Sequence, residues 1–88
     1  MKIKPGFVLR EVAGQSIVIA TGESSTHFHG MIKLNPTGAF IWKALEQGST
    51  ENELINTLTE QFTVSQETAS KDVAQFIHHM NEHGFLEQ

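Results

Sequence analysis

Five histidines stand in 88 residues, and four of them form two close pairs. A strand would place His27 and His29 on one side. A helix would place His79 and His83 one turn apart with Asp72 on the same flank, a spacing that can hold a metal ion. The same positions serve equally as polar borders of an apolar face, and His83 near a helix C-terminus meets the negative end of the helix dipole. With no cysteine and no HExxH pattern, the chain is read without a metal site.

Catalytic chemistry has less to build on. There is no tyrosine or cysteine, no G-x-S-x-G elbow, no P-loop and no dinucleotide fingerprint, so no cofactor is expected. Thr50 and Ser65 read as helix caps rather than nucleophiles, and Glu51, Glu53, Glu67 and Glu82 as a solvated face. A chain this small with at most a shallow groove is built to bind rather than to catalyse.

The elements that position these residues follow from periodicity. Apolar residues make up 39% and charged residues 18%, with a mean hydropathy of -0.21, which suits one globular domain spanning residues 1–88. No apolar run approaches the roughly 20 residues of a spanning helix and the N-terminus lacks a signal-peptide core, so the expected setting is cytoplasmic, away from the membrane. Residues 7–13 and 16–21 are rich in β-branched and apolar types and flank Gly14-Gln15, which predicts a hairpin. After the polar loop GESST, Phe28, Gly30, Ile32 and Leu34 alternate with His29, Met31 and Lys33, the pattern of a third, half-buried strand.

Asn35-Pro36 then caps and opens a helix at once, since proline at the first helical position lacks only an N–H that the helix does not use. Gly38, Ile41, Trp42 and Leu45 share one stripe while Phe40 and Ala44 fall nearly opposite, which predicts a helix covered on two sides and ended by a left-handed Gly48. Thr50 and Glu53 form a capping box for a second helix striped by Leu54, Ile55, Leu58 and Phe62. Ser65 caps a third helix carrying Ala69, Val73, Phe76, Ile77 and Met80 on one face, closed by Gly84 before Phe85-Leu86. Three strands followed by three helices make an α+β domain.

Two binding modes can be weighed on this frame. The second and third helices would form a helix–turn–helix, the basis of a DNA-binding or transcription-related module. The outward residues of its reading helix, however, are Glu67, Lys71, Gln75, His78 and Glu82, and the net charge is -4 with a pI near 5.6, so nucleic acid is not the expected partner. The third strand, in contrast, can lie at a sheet edge with unpaired backbone groups over residues 30–34. Lys33 there serves either as a guard against unwanted pairing or as part of an edge that accepts a peptide as an added strand, and the residues support both. A second copy could cover the same edge, so the expected state is a monomer or weak homodimer.

The run GMIKLNPTGAFIWKALEQGST, followed by DVAQFIHHMNEHGFLEQ, resembles the PqqD family, small proteins related to pyrroloquinoline-quinone biosynthesis protein D. The resemblance covers nearly the whole chain from KPGFVLREVAGQSIVI onward. Its most specific marks are Leu34-Asn35, Thr37-Gly38, Gly48-Ser49-Thr50 and Gly84-Phe85-Leu86. It implies a winged-helix-like fold, with a three-stranded antiparallel sheet followed by three helices. It also implies a RiPP recognition element, a non-catalytic peptide chaperone that binds the leader of a ribosomally made precursor peptide and presents it to a modifying enzyme, often a radical SAM/SPASM-type maturase with auxiliary iron–sulfur clusters. In the family the leader adds as a strand to the third strand, beside a groove walled by the third helix. Carried over, this assigns the pairing edge to His29, Gly30, Met31, Ile32 and Lys33; for the groove wall the flank of the third helix that carries Asp72, Phe76, His79 and His83 is chosen, and the flank of Ser70, Ala74 and Asn81 is the alternative. Pro36 departs from the acidic or polar residue common in the family, without consequence for the fold.

Overall fold

The computed structural model describes residues 1–21 and 31–87. The strands are β1 (Lys2–Ile3), β2 (Phe7–Val12), β3 (Gln15–Ala20), β4 (Met31–Leu34) and β5 (Leu86–Glu87), and the helices are α1 (Pro36–Gln47), α2 (Glu51–Phe62) and α3 (Gln66–Glu82). The expected three-stranded antiparallel sheet is present in the order β2-β3-β4, followed by the three expected helices. Sequence periodicity missed β1 and β5, which pair antiparallel with each other and tie the two ends of the chain together.

The hairpin turn sits one residue earlier than expected. Val12 pairs with Gln15, so the turn residues are Ala13 and Gly14, both at positive φ (52° and 79°), as a two-residue type I′ connection requires. Gln15 belongs to the strand, not the turn. The part of the third strand predicted over Phe28, His29 and Gly30, like the GESST loop and His27, lies outside the described residues.

The helix starts follow the sequence closely. The Asn35 side chain accepts from the Gly38 N–H at 2.7 Å, Ser65 Oγ accepts from the Thr68 N–H at 3.1 Å, and Thr50 and Glu53 form the full reciprocal capping box. Backbone and side-chain hydrogen bonds from Thr50 hold the Glu53 carboxyl below its ordinary range. At the end of α1, Gly48 has φ 92° but ψ 129°, so its backbone is not the left-handed helical cap that was expected.

The end of α3 directs the core. Phe85 N–H donates to the Met80 carbonyl and Gly84 N–H to the Asn81 carbonyl, the paired bonds of a Schellman ending, with Gly84 at φ 74° supplying the left-handed residue. That turn sends Phe85 inward, where it is fully buried against Phe7 (centroids 4.4 Å apart) and Trp42 (5.9 Å). The Trp42 indole N–H reaches Glu46 Oε2 at 3.2 Å, so its burial leaves no donor unmet. Around this aromatic centre pack Val18 from the sheet and Ile41, Leu45, Leu54, Leu58, Val73 and Met80 from the helices. α1 is covered on its second side too, because Phe40 meets Phe62 of α2 edge-on at 5.3 Å.

Candidate functional site

β4 is the site's first component. Its residues pair only with β3, in the register Ser16↔Leu34, Ile17↔Lys33, Val18↔Ile32 and Ile19↔Met31, and no strand follows β4 in the described sheet. In an antiparallel pair every second residue turns both its N–H and its C=O away from the partner, so the outer side of β4 presents backbone donors and acceptors. Alternation sends Ile32 and Leu34 toward the core and leaves Met31 and Lys33 exposed on the other side.

α3 supplies the opposite wall. Its core face carries Ala69, Val73, Phe76 and Met80, and the adjoining flank carries Asp72, Gln75, His79 and His83 at the three- and four-residue steps that align side chains along a helix. Between β4 and this flank runs a groove of about 400 Å³. Ile41, Phe76 and Met80 are nearly inaccessible and form its apolar floor, with half-buried Ile32 and Leu34 beside them. Exposed Lys33, Asn35, Gln75, His79 and His83, with half-buried Asp72 and Thr37, make its polar rim. The volume lies near the low end for ligand sites, with room for a few side chains of a docked segment.

A third wall was not anticipated. The first turn of α1 brings Asn35, Thr37, Gly38 and Ile41 to the groove, because the Asn35-Pro36 junction turns the chain directly from the end of β4 into the helix. Gly38 makes this close approach possible. A Cβ there would stand 3.0 Å from Asn35 Oδ1, 3.4 Å from the Phe76 ring and 3.5 Å from Leu34 Cβ, crowding cap and floor together. The signal was the helix cap itself, which was read for its local role only.

Of the sequence-derived site residues, the structure brings Ile32, Lys33, Asp72, Phe76, His79 and His83 to one groove. Met31 lies on the same strand, but its side chain is 61% exposed and absent from the groove lining, so only its backbone faces this site. His29 and Gly30 fall outside the described residues. Gln75, assigned to the solvated face from sequence, lines the groove, as does Met80 from the core stripe. A second hollow of about 590 Å³ shares Asp72, Gln75 and His79, but α3 alone lines it, and one helix cannot enclose a ligand.

The histidines are held apart in their roles. His83 stacks on Phe85 (5.4 Å, 23° between planes), and exposed His78 pairs with Glu82 at 3.0 Å on the outer face of α3. Among the described residues no group of three or more His, Cys, Asp or Glu side chains is placed to hold a metal ion. The outward face of α3 carries exposed Glu67, Lys71, His78 and Glu82 and no arginine, a poor match for the phosphate backbone of DNA.

A short antiparallel sheet with an open edge thus lies beside a groove and is backed by three capped helices. Residues 9–86 match the family model of coenzyme PQQ synthesis protein D (PqqD), and the chain belongs to that family. Two solved structures share its fold. "TbiB1 in complex with the TbiA(β) leader peptide" is 21% identical, with a TM-score of 0.79 over 99% of this chain and 95% of the other. "Lasso peptide synthetase B1 complexed with the leader peptide" is 21% identical, with a TM-score of 0.77 over 99% of this chain and 96% of the other. No curated protein sequence matches the chain.

Proposed function

We propose that this chain is a non-catalytic recognition domain for the leader of a ribosomally made precursor peptide. The leader adds as a strand along the outer edge of β4 while its side chains enter the groove between β4, the first turn of α1 and the α3 flank. The observation that carries this reading is the coincidence of an open strand edge with an apolar-floored groove alongside it. Backbone pairing gives sequence-tolerant affinity and the groove gives selectivity, the division of labour of strand addition. The family membership and the leader peptides named with both structural neighbours support it.

On this reading Met31, Ile32 and Lys33, with His29 and Gly30 before them, pair with the leader, and Asp72, Phe76, His79 and His83 read its side chains. The bound leader is delivered in the cytoplasm to a modifying enzyme, a radical SAM maturase in the arrangement we favour. The test is fluorescence anisotropy of labelled leader peptides from short precursors encoded in the source genome. The expected result is saturable binding with a Kd on the order of micromolar or tighter. No saturation up to roughly 100 μM would contradict the proposal.

A further inference from the structure

The outer face of the three-stranded sheet carries a second, unrelated surface. The strand register sorts the side chains into two faces. Leu9, Val18 and Ile32 form one cross-strand row toward the core, whereas Val8, Ile19 and Met31 form a row on the opposite face, next to a row of Arg10, Ile17 and Lys33. On the inner face Phe7, Leu9, Ile32 and Leu34 pack on the core, whereas half-buried Val8, Ile17 and Ile19 on the outer face do not. A sheet with one covered face should alternate apolar and polar residues, yet Ile17, Val18 and Ile19 run unbroken through its central strand.

Exposure and charge mark the same face. The large apolar side chains that stand exposed among the described residues, Val12 at 57% and Met31 at 61%, both lie on it. In a chain with ten acidic residues and a net charge of -4, the strand positions of this face hold Arg10 and Lys33 and no Asp or Glu. Neither cation is ion-paired among the described residues. Isologous pairing with a second copy would bury four like charges against one another, which is costly. An anionic membrane is a weak alternative, since two cations on a net-negative protein give little surface attraction.

We infer that this face docks a protein partner presenting an apolar patch rimmed by carboxylates, at the same time as the groove is occupied. The two surfaces meet at Lys33, which borders both, whereas Arg10 and Val12 on β2 belong to the outer face alone and stand away from the groove lining. Docking on this face goes beyond peptide recognition, and only the simultaneous occupation of the groove rests on the proposed function.

The test begins with a photo-crosslinker in place of Val12 in cells of the source organism, followed by reconstitution with the purified captured protein. Support requires that Arg10→Glu and Val12→Glu each weaken that complex by about tenfold or more, with a marked salt dependence of the wild-type affinity. Both positions are exposed, and an unchanged melting temperature establishes that the variants fold. Leader affinity is measured on the same variants and should stay at the wild-type value, which separates failure of this inference from failure of the peptide reading. Capture of a second copy or of the precursor alone, no crosslink, equal binding by the variants, or wild-type binding to phosphatidylserine vesicles in place of protein would each overturn it.

Discussion

The sheet has two edges, and they differ in what stands beside them. β2 is the longer, with six residues, but Arg10, Glu11 and Val12 are exposed at its hairpin end and none of its residues lines either groove found among the described residues. β4 has four residues, yet its edge opens onto an apolar floor built from two helices. Unpaired backbone groups are thus common to both edges, and among the described residues the groove lies beside β4. On the proposed function, length and hydrogen-bonding capacity would not choose between the edges; the neighbouring helices would.

Filling the groove should produce the largest effect. Thr37 lines it half-buried, and Thr37→Trp should cut leader affinity by about a hundredfold or more without unfolding the domain, as anisotropy and circular dichroism can check. Affinity retained within about threefold would mean that the peptide does not use this groove. Charge reversal then sets the two edges against each other. Lys33→Glu should weaken leader binding by about tenfold, whereas Arg10→Glu in β2 should change it by less than about twofold, and equal losses would erase the distinction.

Two smaller predictions concern the scaffold away from the site. Ala13 (φ 52°) and Thr63 (φ 48°) occupy a left-handed conformation that disfavours a Cβ, so Ala13→Gly and Thr63→Asn should each stabilise the protein by about 1 kcal/mol in urea unfolding, with leader affinity unchanged. The smallest effect is set by pH. Because hydrogen bonds from Thr50 lower the Glu53 carboxyl in the folded state, their contribution is present above the ordinary carboxylate range and is lost as pH falls through the lowered value. Glu53→Gln should therefore flatten the acid limb of the stability profile slightly and leave neutral-pH binding intact.

What the sequence made legible was local. Asn35, Thr50 and Ser65 cap their helices through bonds spanning three residues, so type and spacing identified them before any fold was known. The hairpin was legible but displaced by one position, because Gly14 fits either place in a two-residue turn and Ala13 carries no mark of its positive φ. β1 and β5 were invisible, since two-residue strands exist only because the chain ends meet across the core. Helical phase grouped Asp72, His79 and His83 on one flank of α3 but left open which flank borders the groove, since that depends on how the helix packs against β4. The α1 wall was not legible, because it depends on how closely Gly38 lets that helix approach Phe76 and Leu34.

The central claim is that the leader adds to β4 and not to β2. Amide NMR of the labelled protein during titration with the leader tests it directly. The expected shifts are concentrated in Met31–Leu34 and along the α3 flank at Asp72, Gln75, His79 and His83, with Phe7–Val12 unmoved. Shifts centred on Phe7–Val12, or none in β4 at saturating leader, would contradict it.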